Sequence, residues 1–260
     1  MVSISVFIIV SVIFLAHKFY GLDGFLLKIR ANRGLHIQYK TPIAAYNKFY
    51  QLLPTKSKLL FEQKVAYFIF RKTFIARDLP EVTDEMKALI AASAVQLTFG
   101  FPSVSLKHFD KIIIYPNDYY STINRKHHKG EVNPHYKSIV LSWRHFVEGL
   151  ANPTDGINLG LHEMAHALKL ENLIRNEEYD FFDPTELKKW EELTMTEMAK
   201  IRRGEQTVFR SYAAINEEEF FAVSIEMYFE QSQKLFDYSP ALYKTLSNLL
   251  RQDIKRLYKE

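Results

Sequence analysis

The chain has 260 residues, 47% of them apolar and 25% charged, the balance of a folded protein with one full-sized domain or one domain plus an appendage. It holds no cysteine, which excludes disulfide frameworks, thiolate metal sites, iron–sulfur clusters and cysteine nucleophiles, so any bound metal must use His, Asp, Glu or backbone oxygen. The net charge of +4 is unevenly spread: residues 28–77 carry eleven Lys and Arg against one acid, Glu62, whereas residues 78–260 carry 22 basic and 28 acidic residues.

Residues 2–16 are uncharged and strongly apolar, with Phe19 and Tyr20 as an aromatic edge. That length is close to the minimum of about 17 residues for a spanning helix. The positive n-region and small-residue cleavage site of a signal peptide are missing. Lys28, Arg30, Arg33 and Lys40 follow the apolar run, which predicts a membrane anchor with the body of the chain in the cytoplasm and the basic block against anionic headgroups. The block has no nucleic-acid-binding motif, so no nucleic-acid partner is expected. The predicted division is an anchor over 1–22, a basic helical juxtamembrane region over 23–80 and a main domain over 81–260.

Residues 41–76 read as helical, with Leu59, Phe61, Val65, Phe68 and Phe70 near helical spacing. Thr83, Asp84 and Glu85 form a helix start, and that helix runs to about residue 96 before Gly100 and Pro102. Lys111–Tyr115 and Ser138–Ser142 are short β-branched runs and read as strands, separated by a polar loop over 117–135. Further helices are predicted at about 157–170, 184–203, 216–231 and 240–258. The fold class is α+β, mostly helical, with a small sheet in the middle.

The chemistry is carried by His162-Glu163-Met164-Ala165-His166. An H-E-x-x-H motif on a helix sets two imidazoles one turn apart on one face, with the glutamate within reach of a water on the same ion. Leu161, Ala165 and Leu168 form an apolar stripe beside that face. Such a centre needs a third ligand. Lys169 and Asn172 stand where an extended H-E-x-x-H-x-x-G-x-x-H pattern needs Gly and His, so a downstream acid is the natural source. Glu217, Glu218, Glu219, Glu226 and Glu230 are the candidates. Glu217 and Glu218 suit a helix N-terminus whatever their function, and Glu219 shares a face with Ala222, Val223 and Glu226. Acids that orient the imidazoles are expected as well, with Glu226 and Asp155 as candidates. His127 and His128 read as part of a solvated basic loop.

The segments KIIIYP (111–116), SIVLSW (138–143), GINLGLHEMAH (156–166), Trp190 and YAAINEEEFFAV (212–223) resemble, in the same order, those of the Mlc titration factor A family of zinc-dependent peptidases. The resemblance spans roughly residues 85–256. It implies a zincin-like metallopeptidase domain over 81–260 with a small mixed sheet, one Zn2+ ion, Glu219 as the third ligand beside His162 and His166, and Tyr212 near the metal. In that reading Glu163 is the general base for hydrolysis of a peptide or protein substrate, and Tyr212 donates to the oxyanion. The strand at Ser138–Ser142 offers its edge to the substrate. The alternative is a catalytically weak regulator that binds and sequesters a partner such as a transcriptional repressor. Lys169 replaces an aspartate common in the family, and the basic N-terminal region lies outside the resemblance, so the family's transcriptional-regulator partner is not carried over.

Overall fold

The structure is a computed structural model and describes residues 10–11, 34–121, 126–176 and 178–257. The basic segment forms three helices, α1 (Ile37–Tyr46), α2 (Lys48–Leu52) and α3 (Thr55–Arg71). Asn47 caps α2 by accepting from Tyr50 N at 2.7 Å. Phe61, Val65, Phe68 and Ile69 recur three and four residues apart and are buried, so α3 turns one face inward. Glu62, the one acid of the block, is buried too: Tyr50 OH donates to it at 2.6 Å and Lys40 Nζ lies 2.9 Å away.

The helix predicted to continue to residue 76 ends at Arg71. Thr73–Ala76 is strand β1, paired in parallel with β2 (Lys111–Tyr115). Thr73, Phe74 and Ile75 are β-branched or aromatic and favour a sheet when a partner strand is present, which local periodicity cannot reveal. Residues 37–76, read from the sequence as a juxtamembrane element, therefore share one core and one sheet with the rest of the chain. Among the described residues no helix is long and apolar enough to cross a membrane. The predicted anchor over 1–22 lies outside the described residues, apart from Val10 and Ser11.

α4 (Asp84–Thr98) is the central helix, started by Thr83, whose hydroxyl accepts from Met86 N at 3.2 Å, and buried on nearly every side. Beyond β2 come β3 (Tyr119–Ser121), β4 (Lys126–His128), β5 (Gly130–Asn133) and β6 (Ser138–Ser142). β3 and β4 form a two-stranded antiparallel ribbon. The other strands make a mixed sheet in the order β1-β2-β6-β5, antiparallel only between β5 and β6. The span read as a polar loop thus holds three short strands, none with an apolar alternation strong enough to show in sequence. β6 has neighbours on both sides and all five residues buried, so the sheet edge nearest the H-E-x-x-H helix belongs to β5, not to β6 as predicted.

α5 (Trp143–Ala151), α6 (Leu159–Leu173), α7 (Pro184–Arg202), a 3-10 turn (Ser211–Ala214), α8 (Glu217–Glu230), α9 (Ser232–Tyr238), α10 (Pro240–Leu249) and α11 (Ile254–Leu257) complete the chain. The helix predicted over 240–258 is broken between α10 and α11, where Gln252 Nε2 donates to the Gln96 and Leu97 carbonyls at 3.1 Å and ties off the end of α4. α6 lies on β5 and β6 and packs against α4, α5 and α8. Gly160 permits that approach, since a Cβ there would stand 2.6 Å from the Phe146 ring.

Candidate metal centre

α6 begins at Asn158, whose side-chain oxygen accepts from Leu161 N at 3.0 Å. One turn later it presents His162 and His166, their ring centroids 4.8 Å apart and their Nε2 atoms 3.1 Å apart. α8 begins at Asn216, which accepts from Glu219 N at 2.8 Å and fixes Glu219 in the first turn. The Glu219 carboxylate lies 3.1 Å from His162 Nε2 and 3.6 Å from His166 Nε2. One donor atom from each of these three residues lies within 4.8 Å of the others.

The remaining nitrogen of His162 is held from the same helix. Glu226, seven residues after Glu219 and hence on the same face, is buried and lies 2.6 Å from His162 Nδ1. A carboxylate can only accept here, so Nδ1 carries a proton and Nε2 is the ring atom turned to the centre. Arg210 forks onto Glu226, with Nη2 at 2.6 Å and Nη1 at 3.2 Å, and Asn158 N donates to it at 2.7 Å. Arg210 escapes sequence reasoning because its partner is sixteen residues away and no spacing rule links them. Asp155, the other acid considered for orienting an imidazole, accepts from Ile157 N and Asn152 Nδ2 in the turn before α6. Glu218 is exposed and pairs with Lys169 at 3.4 Å, so the lysine that replaces the family aspartate faces a helix-end acid.

These residues fit a divalent cation. Glu219 Oε2 is buried against His162 Nε2 at 3.1 Å, and three acids, Glu163, Glu219 and Glu226, meet two imidazoles with one guanidinium on Glu226. Burial disfavours a charged His162, yet hydrogen bonds to Glu219 and Glu226 outweigh it and hold its pKa up to about 10. Burial would raise Glu219, but the two imidazoles hold its carboxyl well below the usual range. Each shift records a centre that favours positive charge.

Glu163 leaves α6 on the β5 side. Burial pushes its pKa up, with the Glu219 and Glu226 charges adding and the imidazoles opposing. Its carboxylate takes no hydrogen bond from the described residues. Tyr212 sits on the 3-10 turn at the rim, 44% exposed, its ring 6.1 Å from that of His162. Burial and the Glu219 carboxylate push its pKa up to about 12, so it remains a donor at neutral pH. A cleft of about 600 Å³ opens on His162, Glu163, Tyr212, Gly130, His127, His128, His145 and Asp155. His127 and His128, read as a solvated loop, thus stand on the wall of the cleft through β4. His145, in the rim, is hydrogen-bonded to Glu148 at 2.7 Å and to Asp118. A larger groove of about 1230 Å³, lined by Phe236, Tyr243 and Arg251, has no histidine in its lining and lies away from this chemistry.

An H-E-x-x-H helix crossed by a second helix that adds a carboxylate defines a metallopeptidase-like domain. The chain belongs to the glucose-regulated metallo-peptidase M90 family, whose profile matches residues 28–251. This is the Mlc titration factor family indicated by the sequence motifs. The match reaches back to residue 28 and takes in the basic block, consistent with the shared core. The chain is also similar to an uncharacterized protein from Synechocystis sp., 27% identical over 213 residues that cover 76% of this chain and 78% of the relative.

Proposed function

We propose that the chain is a zinc-dependent peptidase in which His162, His166 and Glu219 hold one Zn2+ ion. The donor set, two imidazoles and one carboxylate with no thiolate, is that of catalytic zinc sites that keep a fourth position open. Glu226 orients His162, and Arg210 balances its charge. When bound, zinc supplies Lewis acidity that lowers the pKa of water from about 16 toward about 7. Glu163 accepts the proton of the attacking water and passes it to the leaving amine. The Tyr212 hydroxyl donates to the carbonyl oxygen as charge builds there. The substrate lies extended along the β5 edge, by strand addition.

The observation that carries this reading is a buried carboxylate, Glu163, with no hydrogen bond from the described residues, in one cleft with His162, which belongs to a His-His-Glu donor set with His166 and Glu219. Glu219→Ala should lose most bound zinc, read by elemental analysis of the purified protein. Stoichiometric zinc in that variant would remove Glu219 from the ligand set.

A further inference from the structure

The Glu163 side chain lies across β5 at Gly130. A Cβ built on Gly130 would stand 2.4 Å from Glu163 Oε1, 2.5 Å from its Cδ and 2.6 Å from its Cγ. Those distances are far inside van der Waals contact, so no residue larger than glycine fits at 130 while Glu163 keeps its position. The glycine is not there for backbone reasons: the positive-φ glycines among the described residues are Gly34, Gly156 and Gly204. The register shows which face is involved. Gly130 pairs with Leu141 and Val132 with Ile139, so the four share one face of the sheet. Leu141 and Ile139 are fully buried, and Val132 packs on the core. Gly130 continues that row at its cleft end, and the space a side chain would fill there holds the carboxylate.

We propose that Gly130 is a positioning residue that sets the place of Glu163, through a notch in the edge strand. The inference rests on Glu163 being the base. The obstructing atoms are the far end of a flexible side chain, so an added methyl is relieved by swinging Glu163 away, with the strand and the metal-holding residues undisturbed. The fold should therefore tolerate Gly130→Ala while the chemistry does not.

The test compares the full-length wild type, Gly130→Ala, Glu163→Gln and the double variant. Gly130→Ala should keep zinc content and melting temperature, leave KM within about 3-fold and lower kcat by about 100-fold, the effect of a misplacement of about 1 Å. Its crystal structure should show the Glu163 carboxylate displaced from β5. On the Glu163→Gln background the same substitution should change the residual rate less than about 2-fold, because a residue acting through Glu163 has nothing further to act on. Wild-type kcat in Gly130→Ala would overturn the proposal, as would zinc content and melting temperature falling in step with kcat. Full activity in Glu163→Gln would withdraw the base and the notch together, a failure recognisable from the single variant alone.

Discussion

His162 is gripped at both ring nitrogens by one helix: Glu219 lies 3.1 Å from Nε2 and Glu226 lies 2.6 Å from Nδ1. The seven-residue spacing of those acids on α8 makes this possible, and the spacing is visible in the sequence. The two histidines and the base are legible for the same reason, since helical periodicity relates residues within a few turns. Arg210, Gly130 and the bonds of Asn158 to Glu226 and Glu230 are not, because each acts on a group that only the tertiary fold brings near. Tyr212 falls between these cases: Asn216 starts α8 just after it, which leaves Tyr212 on the incoming turn, but its place beside His162 is set by the packing of α6 against α8. Tyr212→Phe should keep zinc content and melting temperature and lower kcat by about 100–1,000-fold, the usual cost of removing an oxyanion donor. A kcat within a few-fold of wild type, with a lowered melting temperature, would reduce Tyr212 to a packing role.

At the scale of elements, the joint between α6 and α8 carries the centre. Gly156 N donates to Glu230 at 3.0 Å and Asn158 Nδ2 donates to it at 2.8 Å, so the end of α8 holds the turn that launches α6. Burial raises the Glu230 pKa to about 7, with Asp155 and Glu226 adding and the two hydrogen bonds opposing. In the unfolded chain a glutamate titrates near about 4.3. The native state therefore binds the extra proton between these values, and the stability it contributes below about 4.3 is lost as pH rises through about 7. The loss from pH 5 to pH 8 should be roughly 2–3 kcal/mol, and Glu230→Gln should remove it. Urea unfolding of both proteins at the two pH values measures this, and an identical pH dependence in wild type and variant would contradict it. The long helices and β6 are legible in sequence because their periodicity is strong. β1 and β5 are not: each is four residues long and becomes a strand only by pairing with a neighbour distant in the chain or across a turn.

The whole molecule is a mixed sheet covered by helices, with the basic N-terminal helices built into its core. Ile43, Phe49, Phe61 and Phe68 are at most 2% exposed. Fully burying each such side chain is worth about 1.5–3 kcal/mol, so losing four forfeits about 6–12 kcal/mol, comparable to the total stability of a domain at about 5–15 kcal/mol. A chain beginning at residue 81 should therefore fail to fold, whereas one beginning at residue 34 should show native circular dichroism and stay soluble, and the full chain should sediment with membranes through its apolar start. A folded 81–260 fragment would support the division predicted from the sequence, and a full chain that stays soluble without detergent would remove the anchor. Charge distribution suggested that division because lysines on exposed faces say nothing of the phenylalanines behind them. The central claim is that a metal and Glu163 together hydrolyse peptide bonds, and its most direct test is elemental analysis of wild type and Glu163→Gln alongside cleavage of a peptide library by both. One zinc per chain in each protein, with cleavage at least about 100-fold weaker in Glu163→Gln, is the predicted result; a zinc-loaded wild type that cleaves no faster than Glu163→Gln would contradict it.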